Sequence, residues 1–179
     1  MKAYHFAALA ALMGLSFLAG GIATALARQR VEGWYRTRSR PEKVPPPPAY
    51  GWGWSAIYVL MGAAAWLVWL AGPQWGVAMV RLALVLYFVM LGLNALWAGL
   101  FFGLARARAA AATVAVQWLV TLAALIVFSN IWILPGALLV PVLLWTGYVA
   151  IRSFVWWRHG RQFARLQAQP AAPPTRLAA

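Results

Sequence analysis

The feature that most constrains this chain is a series of long apolar runs separated by short polar segments. A transmembrane helix needs about 20 mostly apolar residues to cross about 30 Å of hydrocarbon. The sequence therefore predicts an all-α membrane protein, a bundle of five transmembrane helices in one domain over residues 1–158. The five runs are Tyr4–Ala27, Trp54–Ala71, Val77–Leu104, Ala109–Ser129 and Ile131–Trp157.

Composition supports this class and excludes several kinds of chemistry. Hydrophobic residues make up 64% of the chain and charged residues only 9%, outside the usual range of soluble domains. The chain has no cysteine, which excludes a thiolate nucleophile and a cysteine metal site. Its only acidic residues, Glu32 and Glu42, share one polar segment, so we expect no carboxylate proton relay in the membrane. We predict no catalytic residues and no metal ligands.

The basic residues predict the topology. All Lys and Arg residues except Lys2 and Arg81 fall in the first polar segment, the third polar segment or the C-terminal side. This bias predicts an external N-terminus and a cytoplasmic C-terminus, as in a bacterial inner membrane. The net charge of +13 then faces anionic lipid at the cytoplasmic surface, and we expect no nucleic-acid partner.

The first apolar run has a second interpretation. Lys2, the apolar stretch 6–18 and the sequence Ala23-Thr24-Ala25 resemble a secretory signal peptide with its cleavage site. The run is long enough to span a bilayer, so we expect a transmembrane helix. Cleavage of residues 1–27 is left open.

Two polar segments flank or separate the predicted helices. The long basic loop, 28–53, contains the prolines Pro45–Pro48, which lack backbone N–H groups and favour polyproline II, so we expect no helix there. The loop is either a strap over the cytoplasmic mouth of the bundle or a connector on anionic lipid, and composition favours the connector. We expect the segment 159–179, basic and then rich in Ala and Pro, to be a disordered tail.

Aromatic and polar residues recur at helical spacing on one face of three predicted helices. Asn94 and Gln117 carry amides that need hydrogen-bond partners in lipid, so both should face the interior. Indoles at that depth present flat faces on which a planar ligand can stack. The stripes are Trp54, Tyr58, Met61, Ala65 and Trp69; Tyr87, Leu91, Asn94, Trp97 and Phe101; and Pro141, Trp145, Val149, Arg152 and Trp156.

The remaining tryptophans are predicted to face lipid or the membrane interface, and the two histidines to face solvent. We expect Trp66 and Trp69 to face lipid. His5 and His159 lie near the termini and should be solvated rather than haem ligands. The tryptophans near the ends of the runs are expected to form the interfacial belt: Trp52, Trp75, Trp132, Trp156 and Trp157.

Several short motifs occur in a characteristic order. In the loop and second helix they are Trp34-Tyr35, Arg40-Pro41, Pro45-Pro46, Trp54, Tyr58 and Met61. In the third and fifth helices they are Asn94-Ala95-Leu96-Trp97, Leu100-Phe101-Phe102-Gly103 and Val140-Pro141-Val142-Leu143-Leu144-Trp145. With these motifs, from residue 34 to about 158, the chain resembles a divergent bacterial member of the TspO/MBR family. That family comprises the tryptophan-rich sensory proteins and the mitochondrial translocator protein, or peripheral-type benzodiazepine receptor.

The resemblance implies a fold and a site. It implies a five-helix bundle, often dimeric, with a pocket that opens toward the long loop. Family members bind porphyrins, including haem, and synthetic isoquinoline and benzodiazepine ligands, and animal members bind cholesterol. The positions of Trp54 and Trp145 are linked in some bacterial relatives to light-dependent porphyrin breakdown. By matching motif positions the ligand-binding residues are Tyr35, Trp54, Tyr58, Asn94, Trp97, Ala98, Trp145 and Val149.

The chain also departs from the family pattern. Glu42 or Lys43 stands where the family has a tryptophan after its Lys-Pro pair, and Pro48 replaces a second loop tryptophan. Phe154 replaces the tyrosine of the cholesterol motif. The two changes in the loop remove rings on which a ligand could stack. We therefore expect the affinity for a ligand, or the identity of that ligand, to differ from the family pattern.

Three functions are compatible with these features. We favour a membrane-embedded binding or sensory protein for a planar apolar ligand, a porphyrin or haem-type tetrapyrrole, with a regulatory or transport-related role in tetrapyrrole or stress metabolism. The alternatives are light-dependent porphyrin degradation and a structural accessory subunit of a larger pigment-containing membrane complex. No cofactor is expected to be obligatory, although porphyrin or haem can be the bound ligand, and a homodimer or larger complex is left open.

Overall fold

The computed structural model consists of five long helices. It describes residues 3–36, 47–104 and 106–167, and side chains over 3–25 and 51–160 except at positions 73, 75, 105 and 159. No strand occurs within these ranges. The helices are α1 (Ala3–Arg36), α2 (Pro47–Trp75), α3 (Val77–Ala98), α4 (Ala107–Ile131) and α5 (Ile133–Gln167).

Each helix contains a stretch that is long and apolar enough to cross a membrane. The predicted all-α fold with five transmembrane helices is therefore confirmed, and the chain is an integral membrane protein. The stretches are Ala3–Ala25, Gly51–Gly72, Val77–Gly103, Ala107–Ile131 and Ile133–Arg158.

The predicted loop over 28–53 was wrong at both ends. α1 continues to Arg36 and α2 begins at Pro47. Arginine is a good helix former, so the basic segment extends α1 beyond its apolar part. Proline is accepted in the first turn of a helix, where its missing N–H would have no intrahelical partner, so Pro47 and Pro48 begin α2. The rest of the predicted strap or connector, 37–46, lies outside the described residues.

The predicted tail was also too long. α5 runs to Gln167, so residues 159–167 are helical rather than disordered. Arginine and glutamine favour a helix in this segment, whereas the first proline of the tail, Pro170, lies beyond the helix end. The segment 168–179 lies outside the described residues.

The five helices form a closed ring in the order α1, α2, α5, α4, α3. Each helix contacts its two neighbours in this ring, and α2 also contacts α3 across it. Because successive helices alternate in direction, the end of α1 and the start of α2 lie at the same end of the bundle as the ends of α3 and α5 and the start of α4. We call this the loop end.

Polar bonds attach α1 to its two neighbours. The Tyr87 hydroxyl of α3 donates to the Leu12 carbonyl at 2.6 Å and accepts from Ser16 Oγ at 2.9 Å. Near the opposite end from the loop, the Trp66 indole N–H of α2 donates to the His5 carbonyl at 2.9 Å. In lipid each such bond contributes about 0.6–2 kcal/mol to helix association. Trp66 is thus half-buried and bonded to α1 rather than facing lipid as we predicted.

Close packing of α1 on α2 requires a small residue. A Cβ added at Gly20 would overlap the ring of Tyr58. Because lipid supplies no hydrophobic force between helices, such close approach of backbones is a main source of association energy. Gly20 therefore allows the edge of the Tyr58 ring to pack against the α1 backbone.

Candidate ligand-binding site

Four aromatic rings from three helices meet at the loop end of the bundle, with Trp54 at their centre. The centroid of the Trp54 ring lies 5.9 Å from that of Tyr58, and the two rings are stacked with an interplanar angle of 27°. It lies 5.6 Å from Trp97 of α3 and 5.9 Å, edge to face, from Trp145 of α5. All three separations are within the range of favourable aromatic pairs. We call Trp54, Tyr58, Trp97 and Trp145 the aromatic cluster.

The four rings differ in burial. Tyr58 and Trp97 are buried, whereas Trp54 and Trp145 are half-buried. Tyr58 follows Trp54 by one helical turn, so α2 supplies one outer and one inner ring from the same face. Tyr58 and Trp97 thus form a covered inner pair, and Trp54 and Trp145 form an outer pair whose rings are partly exposed.

The position of Trp145 depends on a glycine of α2. A Cβ added at Gly53 would overlap the six-membered ring of the Trp145 indole. The indole therefore packs directly on the α2 backbone, one residue before Trp54. This contact joins α2 to α5 at the place where the cluster is accessible.

Hydrogen bonds orient the inner rings. The Tyr58 hydroxyl donates to Asn94 Oδ1 at 2.6 Å, and the Trp97 indole N–H donates to Ser153 Oγ of α5 at 3.1 Å. Asn94 is only 1% exposed, and its amide nitrogen has no hydrogen-bond acceptor among the described residues. A buried amide N–H without a partner costs about 1–3 kcal/mol, and the described residues leave this donor of Asn94 unused.

A π-helical turn, Gly99–Gly103, follows α3 and extends the cluster. Its widened turn is closed by the Leu104 N–H, which donates to the Gly99 carbonyl at 2.9 Å. Phe101 and Phe102 are adjacent in sequence, and both ring centroids lie 5.7 Å from that of Trp97. Phe101 is stacked on Trp97 and Phe102 meets it edge-on. Adjacent residues of a regular α-helix point in different directions, so the π turn is what brings both rings to Trp97.

The structure brings together seven of the eight predicted ligand-binding residues. Trp54, Tyr58, Asn94, Trp97 and Trp145 form the cluster and its hydrogen bond. Ala98 and Val149 are buried beside it in a second apolar group with Val114 of α4. The side chain of Tyr35 lies outside the described residues. The roles of the eight residues in binding stay predictions.

Sequence reasoning missed Gly53, Ser153 and Phe102. Gly53 precedes Trp54 but carries no ring, and its importance is visible only when Trp145 is placed against it. Ser153 is four residues after Val149 and thus on the same helical face, a signal that we overlooked. Phe102 is off the α-helical stripe and reaches Trp97 only through the π turn.

The predicted residues outside the aromatic cluster differ in how deeply they are buried. Gln117 is 1% exposed and faces the interior, as predicted, while Trp52 is 76% and Trp69 43% exposed, consistent with belt and lipid positions. His5 is half-buried rather than solvated, with Nδ1 buried and without a hydrogen-bond partner among the described residues. His159 and the Trp75 side chain lie outside the described residues. Trp132 is exposed, and Trp156 and Trp157 are half-buried.

The geometry defines a class: a five-helix membrane protein with an aromatic cluster at the loop end of the bundle. The model of the TspO/MBR family matches residues 7–158, and the chain belongs to this family. The resemblance inferred from the motifs is thereby confirmed.

The chain is similar to several curated microbial proteins. It is 30% identical to Protein CrtK of Rhodobacter capsulatus over 70% of this chain and 77% of that protein. It is 35% identical to the tryptophan-rich sensory protein of Cereibacter sphaeroides over 73% of this chain and 80% of that protein. With the tryptophan-rich protein TspO of Chlorobaculum tepidum the identity is 25% over 82% and 91%.

Proposed function

We propose that this membrane protein binds a planar apolar ligand, of the porphyrin or haem type, on the outer faces of the aromatic cluster. The observation that carries the proposal is the contact of Trp54 with Tyr58, Trp97 and Trp145, which come from three helices and lie beside an unsatisfied amide. Flat aromatic walls with few polar groups are typical of sites for planar ligands. Asn94 would donate a hydrogen bond from the floor of the site.

The role that follows is sensing or transport of such a ligand. The relative from Cereibacter sphaeroides is named a tryptophan-rich sensory protein, and the one from Chlorobaculum tepidum is named tryptophan-rich protein TspO. A protein of Schizosaccharomyces pombe is named a translocator protein homolog. Binding at the loop end would let the ligand be exchanged at one membrane surface. In this proposal the loop end lies on the cytoplasmic side of a bacterial inner membrane, next to anionic lipid, because most of the basic residues are at that end. A homodimer or larger membrane complex would be compatible with this site.

The test is titration of the purified protein with protoporphyrin IX, followed by quenching of tryptophan fluorescence and by the absorption spectrum of the porphyrin. The variant Trp54→Ala/Trp145→Ala removes both outer rings and leaves the other tryptophans as reporters. We expect its affinity to fall about tenfold or more, because each aromatic contact contributes about 0.5–1.5 kcal/mol beyond area burial.

The matched control is Trp52→Ala/Trp69→Ala, which removes two exposed indoles of the same helix. It should bind as the unmodified protein does. If the Trp54/Trp145 variant also binds with unchanged affinity, the site is not at the aromatic cluster. If the unmodified protein does not bind the porphyrin, the ligand class is wrong.

A second candidate function is light-dependent porphyrin breakdown. It is favoured by the edge-to-face contact of Trp54 and Trp145, because these are the two positions that the family resemblance links to that reaction. Illumination of the protein with bound porphyrin should then bleach the porphyrin faster than illumination with the Trp54→Phe variant. Equal bleaching rates with and without the protein would eliminate this function.

A further inference from the structure

Arg152 of α5 is a cation inside the apolar part of the chain. It lies in the span Ile133–Arg158, six residues before the end of that span, about 9 Å along the helix axis at 1.5 Å per residue. Its side chain is half-buried. The guanidinium nitrogen Nη2 is buried and has no hydrogen-bond acceptor among the described residues.

This environment differs from that of the next arginine on the same helix. Arg158 is exposed at the end of the span, and its guanidinium lies over the Phe154 ring, 5.7 Å from the ring centre. Arg158 can thus extend to the membrane surface, as long basic side chains do near helix ends. Arg152 instead directs a donor into the protein, and charged donors in a span are costly unless an acceptor is bound.

The chain itself is poor in groups that could neutralise Arg152. It has 15 basic and only two acidic residues, Glu32 and Glu42. Neither glutamate belongs to the described side chains, and the described part of the bundle contains no carboxylate side chain. An external anion is therefore the natural partner for a buried guanidinium in this protein.

The position of Arg152 relates it to the aromatic cluster. Tyr148 precedes it by one helical turn on the same face and lies 5.8 Å from the ring of Trp145. Ser153, the next residue, holds the indole N–H of Trp97. Trp145 itself is two turns away, about 10.5 Å along the helix axis. A planar ligand stacked on Trp145 would extend its edge toward the guanidinium.

We propose that Arg152 binds the carboxylate of an amphipathic planar ligand whose apolar ring lies on Trp54 and Trp145. This inference rests on the proposed function and adds the acidic group that the ligand must carry. The guanidinium donates to the carboxylate, and the unpaired amide of Asn94 is a second donor beside Tyr58. The site thereby selects planar acids over uncharged planar molecules of the same shape.

The experiment compares two probes with the same porphyrin ring: protoporphyrin IX, whose two propionates are ionised, and its dimethyl ester, in which both are uncharged methyl esters. Both are titrated in an uncharged detergent against the unmodified protein and against Arg152→Gln, Arg152→Lys and Arg158→Gln. The unmodified protein should bind the acid about tenfold or more tightly than the ester, since hydrogen bonds to charged groups contribute at least that factor. Arg152→Gln should remove this preference because it weakens binding of the acid much more than binding of the ester, whereas Arg152→Lys should keep part of the preference and Arg158→Gln all of it.

The outcomes separate the two proposals. An acid preference that persists in Arg152→Gln overturns the role of Arg152 while ester binding still supports the aromatic site. Equal loss of acid and ester binding in Arg152→Gln assigns the residue a structural role only and also overturns the proposal. Failure of the unmodified protein to bind either probe refutes the porphyrin-type ligand of the proposed function.

Discussion

Replacing Gly53 by alanine should disturb the ligand site without removing any aromatic ring. The new Cβ would overlap the Trp145 indole, with the Cζ2 and Cζ3 atoms at 2.8 and 2.9 Å and one atom closer still. The indole must therefore move away from the α2 backbone by the order of 1 Å, a displacement that overpacking commonly forces. Its edge-to-face contact with Trp54 is then lost or distorted.

Two opposing terms set the size of the effect. Overpacking costs about 1–3 kcal/mol, whereas replacing glycine by alanine in a helix contributes about 0.8–1 kcal/mol of stabilisation. The folded state should therefore lose at most about 2 kcal/mol. The loss of the Trp54–Trp145 pair adds about 0.5–1.5 kcal/mol to the cost of binding, so porphyrin affinity should fall about two- to tenfold.

The matched control is Gly51→Ala, two residues earlier on the same helix. No described atom lies within 4 Å of a Cβ added there, so only the helix-propensity term applies and this variant should be slightly more stable. Thermal unfolding, porphyrin titration and the exciton-coupled circular dichroism of the indoles would be measured for both. Indistinguishable spectra and affinities in the two variants would refute the packing of Trp145 on Gly53.

Three further substitutions test contacts that hold the bundle and the site. Tyr87→Phe removes the donor to Leu12 and should lower the free energy of unfolding by about 1–2 kcal/mol in thermal denaturation; an unchanged midpoint contradicts the link. Ser153→Ala leaves the buried Trp97 N–H without its acceptor and should cost about 1–3 kcal/mol and shift the tryptophan emission, whereas an unaltered spectrum would argue against that bond. Trp66→Phe replaces the indole by a smaller aromatic ring that has no N–H and so loses the bond to α1, and we expect about 1 kcal/mol less stability and faster proteolysis near the N-terminus; a wild-type digestion rate would rule this out.

Local sequence signals predicted the elements well but their ends poorly. Apolar length is a property of each run alone, so five spans could be counted before any contact was known. The ends of the helices depend instead on the helix preferences of the polar and proline residues that flank each apolar run. There, arginines continued α1 to Arg36 and the first-turn tolerance of proline allowed α2 to begin at Pro47.

For the site, polar atoms were the most reliable guide from sequence. Helices in a bilayer are apolar on both their inner and outer faces, so hydrophobic periodicity does not show which face is buried. Asn94 and Gln117 do show it, because an amide must avoid lipid, and both are 1% exposed. Indoles are ambiguous, which is why Trp66 was misplaced. Trp97 lies three residues after Asn94 and is buried with it, whereas Trp54 and Trp145 were assigned from the stripes on their own helices.

The sequence alone determined that this chain spans a membrane five times, with inward amides and an excess of cations that it cannot neutralise internally. Only the tertiary structure decided the ring order of the helices and, with it, which side chains meet. Gly53 under Trp145, Ser153 on Trp97 and the π turn that brings Phe102 to the cluster all depend on contacts between segments far apart in sequence. Helical periodicity orients a residue only within its own helix, so the pairing of faces across the bundle is settled by packing and hydrogen bonding.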